Sequence, residues 1–318
     1  MRSRAWVLLA GGTVLVACGL DLVGAAGPVE ITPTDAAATP ETGATSLEPE
    51  KLGDGTEPPA ADAAPPDETP IDAGPVDAGP CTTSLVDNFA QGLGNWTHFG
   101  GVERRTAGTN AYARLIAQDV KSRAAGLFWL VPSAVNATSF KASFAYYVST
   151  PYREYYQGDG ITFTWLTSTG TAPIGTGAVT GQGLGIQPGV TGYAFAIDQW
   201  RNESIGDLEG PSFNFLRIDP GAGNPGSYDW HVAKKGPYYQ SQVYDAWRTI
   251  EITVEGGKAS AVFRFSPGGA PNVLFTDVPV DTTAKITALG FTAATGGADP
   301  MGFSVDTVSF ALTNATCN

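Results

Sequence analysis

The clearest pattern in the chain begins at residue 81, where short apolar and aromatic runs alternate with clusters of Gly, Pro, Asn and Asp. Several runs alternate apolar and polar residues with period two, as in residues 249–254, which is typical of strands with one buried face. No helical stripe longer than three turns interrupts them. The pattern predicts strands at residues 140–148, 160–166, 192–198, 213–218, 248–254, 259–265, 288–293 and 302–310. Many short strands separated by turn signals predict an all-β sandwich or jelly roll.

The first 18 residues read as a targeting segment. Arg2 and Arg4 precede an apolar stretch, residues 5–17, that is too short to span a bilayer comfortably. It ends in Leu15-Val16-Ala17-Cys18, which is similar to the lipobox of bacterial lipoproteins. We therefore expect a lipoprotein signal peptide over residues 1–18, lipid on Cys18, and a membrane-anchored protein of the bacterial envelope, at the outer membrane or cell surface. An ordinary secretory signal with an incidental cysteine is the alternative.

Residues 19–80 are predicted to be a disordered, acidic, Pro/Ala-rich linker. They contain 13 Asp/Glu and a single Lys, with almost no large apolar residues, so they cannot bury enough surface to offset the entropy of ordering. Residues 81–318 are nearly neutral, with 18 acidic and 15 basic residues, and are predicted to form one domain. No basic patch suggests a nucleic-acid partner.

Three cysteines are present, and Cys18 is assigned to lipid. Cys81 and Cys317 then form an even pair in an oxidising compartment, at the two ends of the predicted domain. Because the termini of a domain often lie close together, we expect a Cys81–Cys317 disulfide. Two free thiols are the alternative.

Five segments in one chain order resemble the legume-type (L-type) lectins. They are residues 89–115, 140–144, 158–163 (Gly-Asp-Gly-Ile-Thr-Phe), 181–186 and 289–297. The resemblance implies a concanavalin A-like jelly-roll sandwich of antiparallel sheets over most of residues 81–318.

The segment 196–207 resembles the metal loop of that family. Asp198, Trp200, Asn202 and Asp207 fall on the family's calcium positions. Two carboxylates, one amide oxygen and the Trp200 carbonyl make a plausible cage for a hard cation, with water completing the coordination. The resemblance thus implies Ca²⁺. An Asx-rich turn without metal is the alternative.

Two departures from the family pattern concern its transition-metal site. Ala196 stands where the family has a glutamate, and Phe215 stands where we place the family's histidine. We therefore expect no transition-metal site. The two histidines of the chain, His98 and His231, are far apart in sequence, and core or surface roles are expected for them.

The resemblance also implies a sugar site. Asp159 would accept hydrogen bonds from hydroxyl groups, and Trp200 would stack on the ring. Asn202 would serve both metal and sugar. The family often has a cis peptide before this aspartate, here Gly158–Asp159. Backbone N–H groups of the neighbouring loops would complete the pocket, at Gly181, Gly183, Gly296 and Gly297. Alternatively, Asp159 is only a turn residue, Trp200 is core, and the loop at 181–183 is only a hairpin.

These expectations favour a calcium-dependent carbohydrate-binding module displayed on a lipid anchor, with a glycan as partner and no catalytic residue. A structural or adhesive surface module without sugar binding is the first alternative, and a glycoside hydrolase of the same fold is the second, less favoured one. Glycoside hydrolases of related shape carry closely spaced carboxylates on one strand. The comparable strand here has Ala196 in the first of those positions, and no other hydrolase motif is present.

Overall fold

The computed structural model describes residues 83–150, 158–219, 231–266, 268–297 and 301–317. The predicted signal peptide with Cys18, the predicted linker and Cys81 lie outside these residues. Cys317 ends the last strand, but with Cys81 outside the described part of the chain the disulfide stays a prediction. No helix in the described residues is long and apolar enough to cross a membrane.

Strands dominate the described residues, and the one α-helix, α1, is a single turn at Gln240–Val243. Short 3₁₀ turns occur at Gly181–Gly183 and Glu203–Ile205. The strands are β1 Ser84–Asp87, β2 Thr97–Phe99, β3 Glu103–Ala107, β4 Asn110–Ile116, β5 Ala124–Leu130, β6 Val135–Asn136, β7 Ser139–Ser149, β8 Gly160–Ser168, β9 Thr191–Asp198, β10 Ser212–Ile218, β11 His231–Lys235, β12 Arg248–Glu255, β13 Lys258–Arg264, β14 Asn272–Pro279, β15 Ala288–Ala294, β16 Gly302–Thr313 and β17 Thr316–Cys317.

The strands form two large antiparallel sheets and one small one. The eight-stranded sheet has the order β14-β13-β12-β7-β16-β4-β3, with β1 also paired to β16. The seven-stranded sheet has the order β11-β10-β9-β8-β15-β5-β2, and β17 pairs with β6. This architecture confirms the predicted all-β sandwich of antiparallel sheets.

The core between the two large sheets is built largely from phenylalanine. Period-two alternation sends Phe140 and Phe144 of β7 inward, where they meet side chains of the opposite sheet. Phe144 stacks on Phe163 at 5.4 Å between ring centroids and meets Phe291 edge-on at 4.9 Å. Each buried ring of this size contributes roughly 1.5–3 kcal/mol through removal of apolar surface from water.

The outer face of the seven-stranded sheet carries a second apolar cluster, under the segment between β8 and β9. Leu184 and Ile186 of that segment pack on the sheet with Leu166 and Ala196. The Leu184 carbonyl accepts a hydrogen bond from Thr292 Oγ1 at 2.7 Å, which pins the segment to β15. The 3₁₀ turn Gly181–Gly183 is thereby held over one end of the sheet.

Candidate metal and ligand site

Three loops converge at one end of the central strands of the seven-stranded sheet. β8 begins at Gly160, and its register places Gly160 beside Asp198 on β9 and beside Ala294 on β15. Because neighbouring strands run antiparallel, the residue before β8 and the loops after β9 and β15 all lie at this same end of the strands. The sandwich therefore brings Asp159 and the segments 198–207 and 295–297 together.

Asp159 lies between two of the glycines predicted to join it. Its carboxylate accepts a hydrogen bond from the backbone N–H of Gly296. A Cβ on Gly296 would lie 2.9 Å from Oδ2, and one on Gly181 would lie 3.7 Å from Oδ1. Asp159 is only 6% exposed. Burial raises the pKa of Asp159 to about 6, with a smaller contribution from the charge of Asp207.

The peptide between Gly158 and Asp159 is trans, so the expected cis bond is wrong. The cis peptides of the described residues precede Pro211 and Pro237. Gly158 has φ +68°, a left-handed conformation that glycine adopts at little cost. This conformation turns the chain into Asp159 without a non-proline cis bond, which costs about 3 kcal/mol.

The loop after β9 folds back on itself through its two aspartates. Asp198 Oδ1 accepts the N–H of Trp200 at 3.1 Å, and Asp207 Oδ2 accepts the N–H of Asn202 at 2.9 Å. Both carboxylates are almost fully buried. These bonds are those of an Asx-rich turn, but each uses only one oxygen of its carboxylate.

His231, which was expected to have a core or surface role, lies against this loop. Its Nε2 is 3.0 Å from Asp207 Oδ1, and its side chain is 2% exposed. One ligand atom from each of Asp198, Asp207 and His231 lies within 4.8 Å of the others. One of the two reasons for expecting no transition-metal site was that a histidine was missing from this loop. His231 supplies a histidine here, so that reason is wrong.

Phe215 does not occupy the position that faces the loop. It is fully buried between the sheets, 5.3 Å from the Phe195 ring and 5.1 Å from the Phe275 ring. Asn214 faces the loop instead, with Nδ2 3.5 Å from Asp198 Oδ2. Side chains alternate between the two faces of a strand. An alignment error of one residue therefore assigns a core residue, Phe215, to the site position that Asn214 occupies.

The electrostatics of the cluster fit a bound cation. Burial, followed by the charges of Asp207 and Asp159, raises the pKa of Asp198 well above its ordinary value. Asn214 Oδ1 is buried and accepts no hydrogen bond within the described residues, and Asp207 Oδ1 makes no aligned hydrogen bond although His231 Nε2 lies 3.0 Å away. A buried oxygen without a donor beside repelling carboxylates is costly, and a divalent cation would relieve both costs.

The remaining predicted residues differ in burial and in the contacts they make. Trp200 is half-buried and contacts no other described aromatic ring, while Asn202 is half-buried and makes no capping bond to the 3₁₀ turn that follows it. Gly297 is exposed, with nothing within 4 Å of a Cβ built on it. Gly183 is buried and its N–H donates to the Thr180 carbonyl at 3.3 Å, so that donor is already used.

Neither a protein-family model nor a curated protein matches the chain. Solved structures do. The basic winged bean lectin with Tn-antigen is 14% identical with a TM-score of 0.57, and the match covers 74% of this chain and 98% of that one. The lectin from Bauhinia forficata in complex with GalNAc is 17% identical with a TM-score of 0.55, over 74% of this chain and 98% of that one. The VIP36 exoplasmic/lumenal domain in its Ca²⁺/Man3GlcNAc-bound form is 14% identical with a TM-score of 0.53, over 72% and 88%. The chain therefore has the fold of the L-type lectins.

Proposed function

We propose that this domain binds carbohydrate at Asp159 and that a divalent cation in the neighbouring acidic cluster organises the site. The observation that carries the proposal is the placement of Asp159 between Gly181 and Gly296, within electrostatic reach of Asp198 and Asp207. The similar structures named above were solved with Tn-antigen, GalNAc and a mannose-containing glycan, which supports carbohydrate as the ligand class.

The proposed cation is Ca²⁺, held by the carboxylates of Asp198 and Asp207, the Trp200 carbonyl and the Asn202 side chain. When bound, the ion supplies positive charge that offsets the repulsion between the buried carboxylates. The imidazole of His231 adds a nitrogen ligand of a kind that transition metals favour, so Mn²⁺ and Zn²⁺ belong in every binding test.

The chain's own groups would then bind the sugar. Asp159, ionised beside the cation, accepts hydrogen bonds from two hydroxyl groups. The half-buried indole of Trp200 offers a face for stacking on the apolar side of the ring. The backbone N–H of Gly297, in the loop after β15, would complete the pocket. No bond is broken in this account, and we propose no catalytic residue.

Display at the bacterial envelope is also part of the proposal. Lipid on Cys18 would hold the protein in a membrane, the acidic linker at 19–80 would act as a spacer, and a Cys81–Cys317 bridge would close the domain. Mass spectrometry of the protein from its native envelope would detect the acyl chains, and a non-reducing peptide map would detect the bridge. An unmodified N-terminus at another residue contradicts the anchor.

The Gly296 contact gives a sharp test of the site. Gly296→Ala places a methyl group 2.9 Å from Asp159 Oδ2, so the carboxylate must move, and we expect about a tenfold loss of glycan affinity. Gly94→Ala is the matched control, because Gly94 is exposed in the loop before β2 and a Cβ built on it meets nothing within 4 Å. Titration of both variants with a glycan that binds the parent protein gives the comparison. Equal affinity for the two variants contradicts the assigned role of Asp159.

A glycan array probed with calcium, and again after chelation, tests the function itself. We expect binding that disappears with the chelator and with Asp159→Asn. An array without signal in the presence of Ca²⁺, Mn²⁺ and Zn²⁺ would instead favour a structural surface module.

A further inference from the structure

A second cleft lies on the other side of the sandwich, on the outer face of the eight-stranded sheet. It has a volume of about 430 Å³ and is open to solvent. Its lining includes three aromatic residues and several polar ones, among them Tyr112, Tyr147, Trp247, Arg114, Ser149 and Ser304. None of these residues belongs to the site around Asp159.

The sheet register places the polar lining in neighbouring strands. Ser304 of β16 pairs with Tyr147 of β7 on one side and with Arg114 of β4 on the other. Gly302 pairs with Ser149 in the same two strands, β16 and β7. A side chain at Gly302 would collide with Ser149 Oγ, so glycine keeps this part of the cleft open. Strand residues therefore form most of the cleft, and Trp247 joins them from the position directly before β12.

Three aromatic side chains contact one another at this cleft. The Trp247 ring lies 5.7 Å from Tyr112 and 5.4 Å from Tyr147, tilted or edge-on to each. All three side chains are half-buried. Other outward positions of β7 carry Lys141 and Ser143, as is ordinary for a solvated sheet face. A cluster of three rings on such a face is a common mark of a binding surface.

The polar groups of the cleft are available to a ligand. In the part of the chain that the structure describes, the hydroxyls of Tyr112, Tyr147, Ser149 and Ser304 make no hydrogen bond to protein groups. The charge of Arg114 is already paired, since its Nε donates to Glu103 Oε1 at 2.9 Å. The lining thus offers aromatic faces and hydroxyls with no uncompensated charge, which suits a neutral, polyhydroxylated ligand with an apolar face.

We propose that this cleft is a second saccharide site, which takes a neutral oligosaccharide and needs no cation. Trp247 stacks on a sugar ring, with the tyrosine and serine hydroxyls as hydrogen-bond partners. The proposal goes beyond the cation-dependent site and stands without it. A chain with both sites would hold one polysaccharide at two points, or two glycans at once.

The test removes the first site and asks what binding remains. Asp159→Asn protein in chelator is titrated with neutral hexasaccharides of glucose, mannose, galactose and xylose, with tryptophan fluorescence and saturation-transfer NMR as readouts. We expect saturable binding of at least one probe. Adding Trp247→Ala should lower the affinity for that probe at least tenfold. The reason is that stacking of the apolar face of a sugar ring on the indole supplies a major part of the affinity. Tyr239→Ala is the matched control, because Tyr239 is 79% exposed and does not line the cleft.

A milder variant guards against misfolding. Tyr147→Phe keeps the ring and removes one hydroxyl, and we expect about a threefold loss of affinity. The proposal is overturned if no hexasaccharide binds, or if binding is unchanged in both Trp247→Ala and Tyr147→Phe. It is also overturned if sedimentation shows that the cleft is covered in a homodimer that Trp247→Ala dissociates. The array experiment above tests the Asp159 site separately. Failure of one proposal therefore does not decide the other.

Discussion

Asp198→Asn is expected to weaken calcium binding at least 100-fold and to abolish cation-dependent glycan binding. The variant keeps the size of the side chain and the oxygen that accepts the Trp200 N–H, but it removes a charged ligand from the centre of the cluster. A 100-fold loss corresponds to about 2.7 kcal/mol. Isothermal titration of Ca²⁺ into metal-free protein measures the first effect, and glycan binding measured with and without chelator the second.

The control for this variant makes the same chemical change at the surface. Asp277→Asn alters a carboxylate that pairs with Lys258 and is 58% exposed, so calcium affinity should stay within a factor of two. Asp198→Asn should also unfold at a higher denaturant concentration than the parent protein in chelator, because one of the repelling buried charges is gone. Normal calcium affinity in Asp198→Asn contradicts the assignment of this ligand.

The stability of the metal-free domain is expected to fall as pH rises, and calcium should restore it. The folded pKa of Asp159, about 6, lies above its ordinary value of 3.8 because the carboxyl is buried. The unfolded chain therefore releases this proton more readily than the folded one. The stabilising contribution of the protonated group is full below about pH 4 and is lost as pH rises through 6. Asp159 alone should lower the free energy of unfolding by about 2 kcal/mol between pH 4.5 and pH 7.5.

Urea unfolding in chelator at the two pH values measures this loss. Asp159→Asn is the control that isolates the group, since the variant should lack this part of the pH dependence while other titrating groups remain. Added calcium should stabilise the parent protein more at pH 7.5 than at pH 4.5, because ionised carboxylates bind the ion. The same pH dependence in the parent and in Asp159→Asn would mean that Asp159 is not buried as the structure has it.

Much of the sandwich could be predicted because apolar and polar residues alternate along its central strands. Residues 249–254 alternate sides and form the middle of β12, and the runs at 140–148 and 302–310 lie within β7 and β16. The edge strand β11 was not predicted, because His-Val-Ala-Lys-Lys is short and half-exposed, with neither an aromatic residue nor a clear alternation. Edge strands bury less surface, so selection leaves a weaker pattern in them.

The candidate site was predictable where its residues are close in sequence. Asp198 ends β9 and Asp207 lies in the loop that follows, and the resemblance of residues 196–207 to the family's metal loop implied that the two carboxylates converge. His231 approaches from β11, and only the pairing of that strand with β10 brings it to Asp207. Asn214 was missed because a one-residue error in β10 assigned its place to Phe215. Cross-strand neighbours depend on register, which a single sequence fixes only weakly.

A crystal structure of the protein grown in calcium, with anomalous scattering used to locate the ion, tests the central claim most directly. We expect one peak with oxygens of Asp198 and Asp207 about 2.3–2.6 Å away, and a sugar oxygen beside Asp159 when glycan is present. An ion bound elsewhere, or no ion at saturating calcium, manganese and zinc with both carboxylates turned apart, would contradict the claim that a cation organises this site.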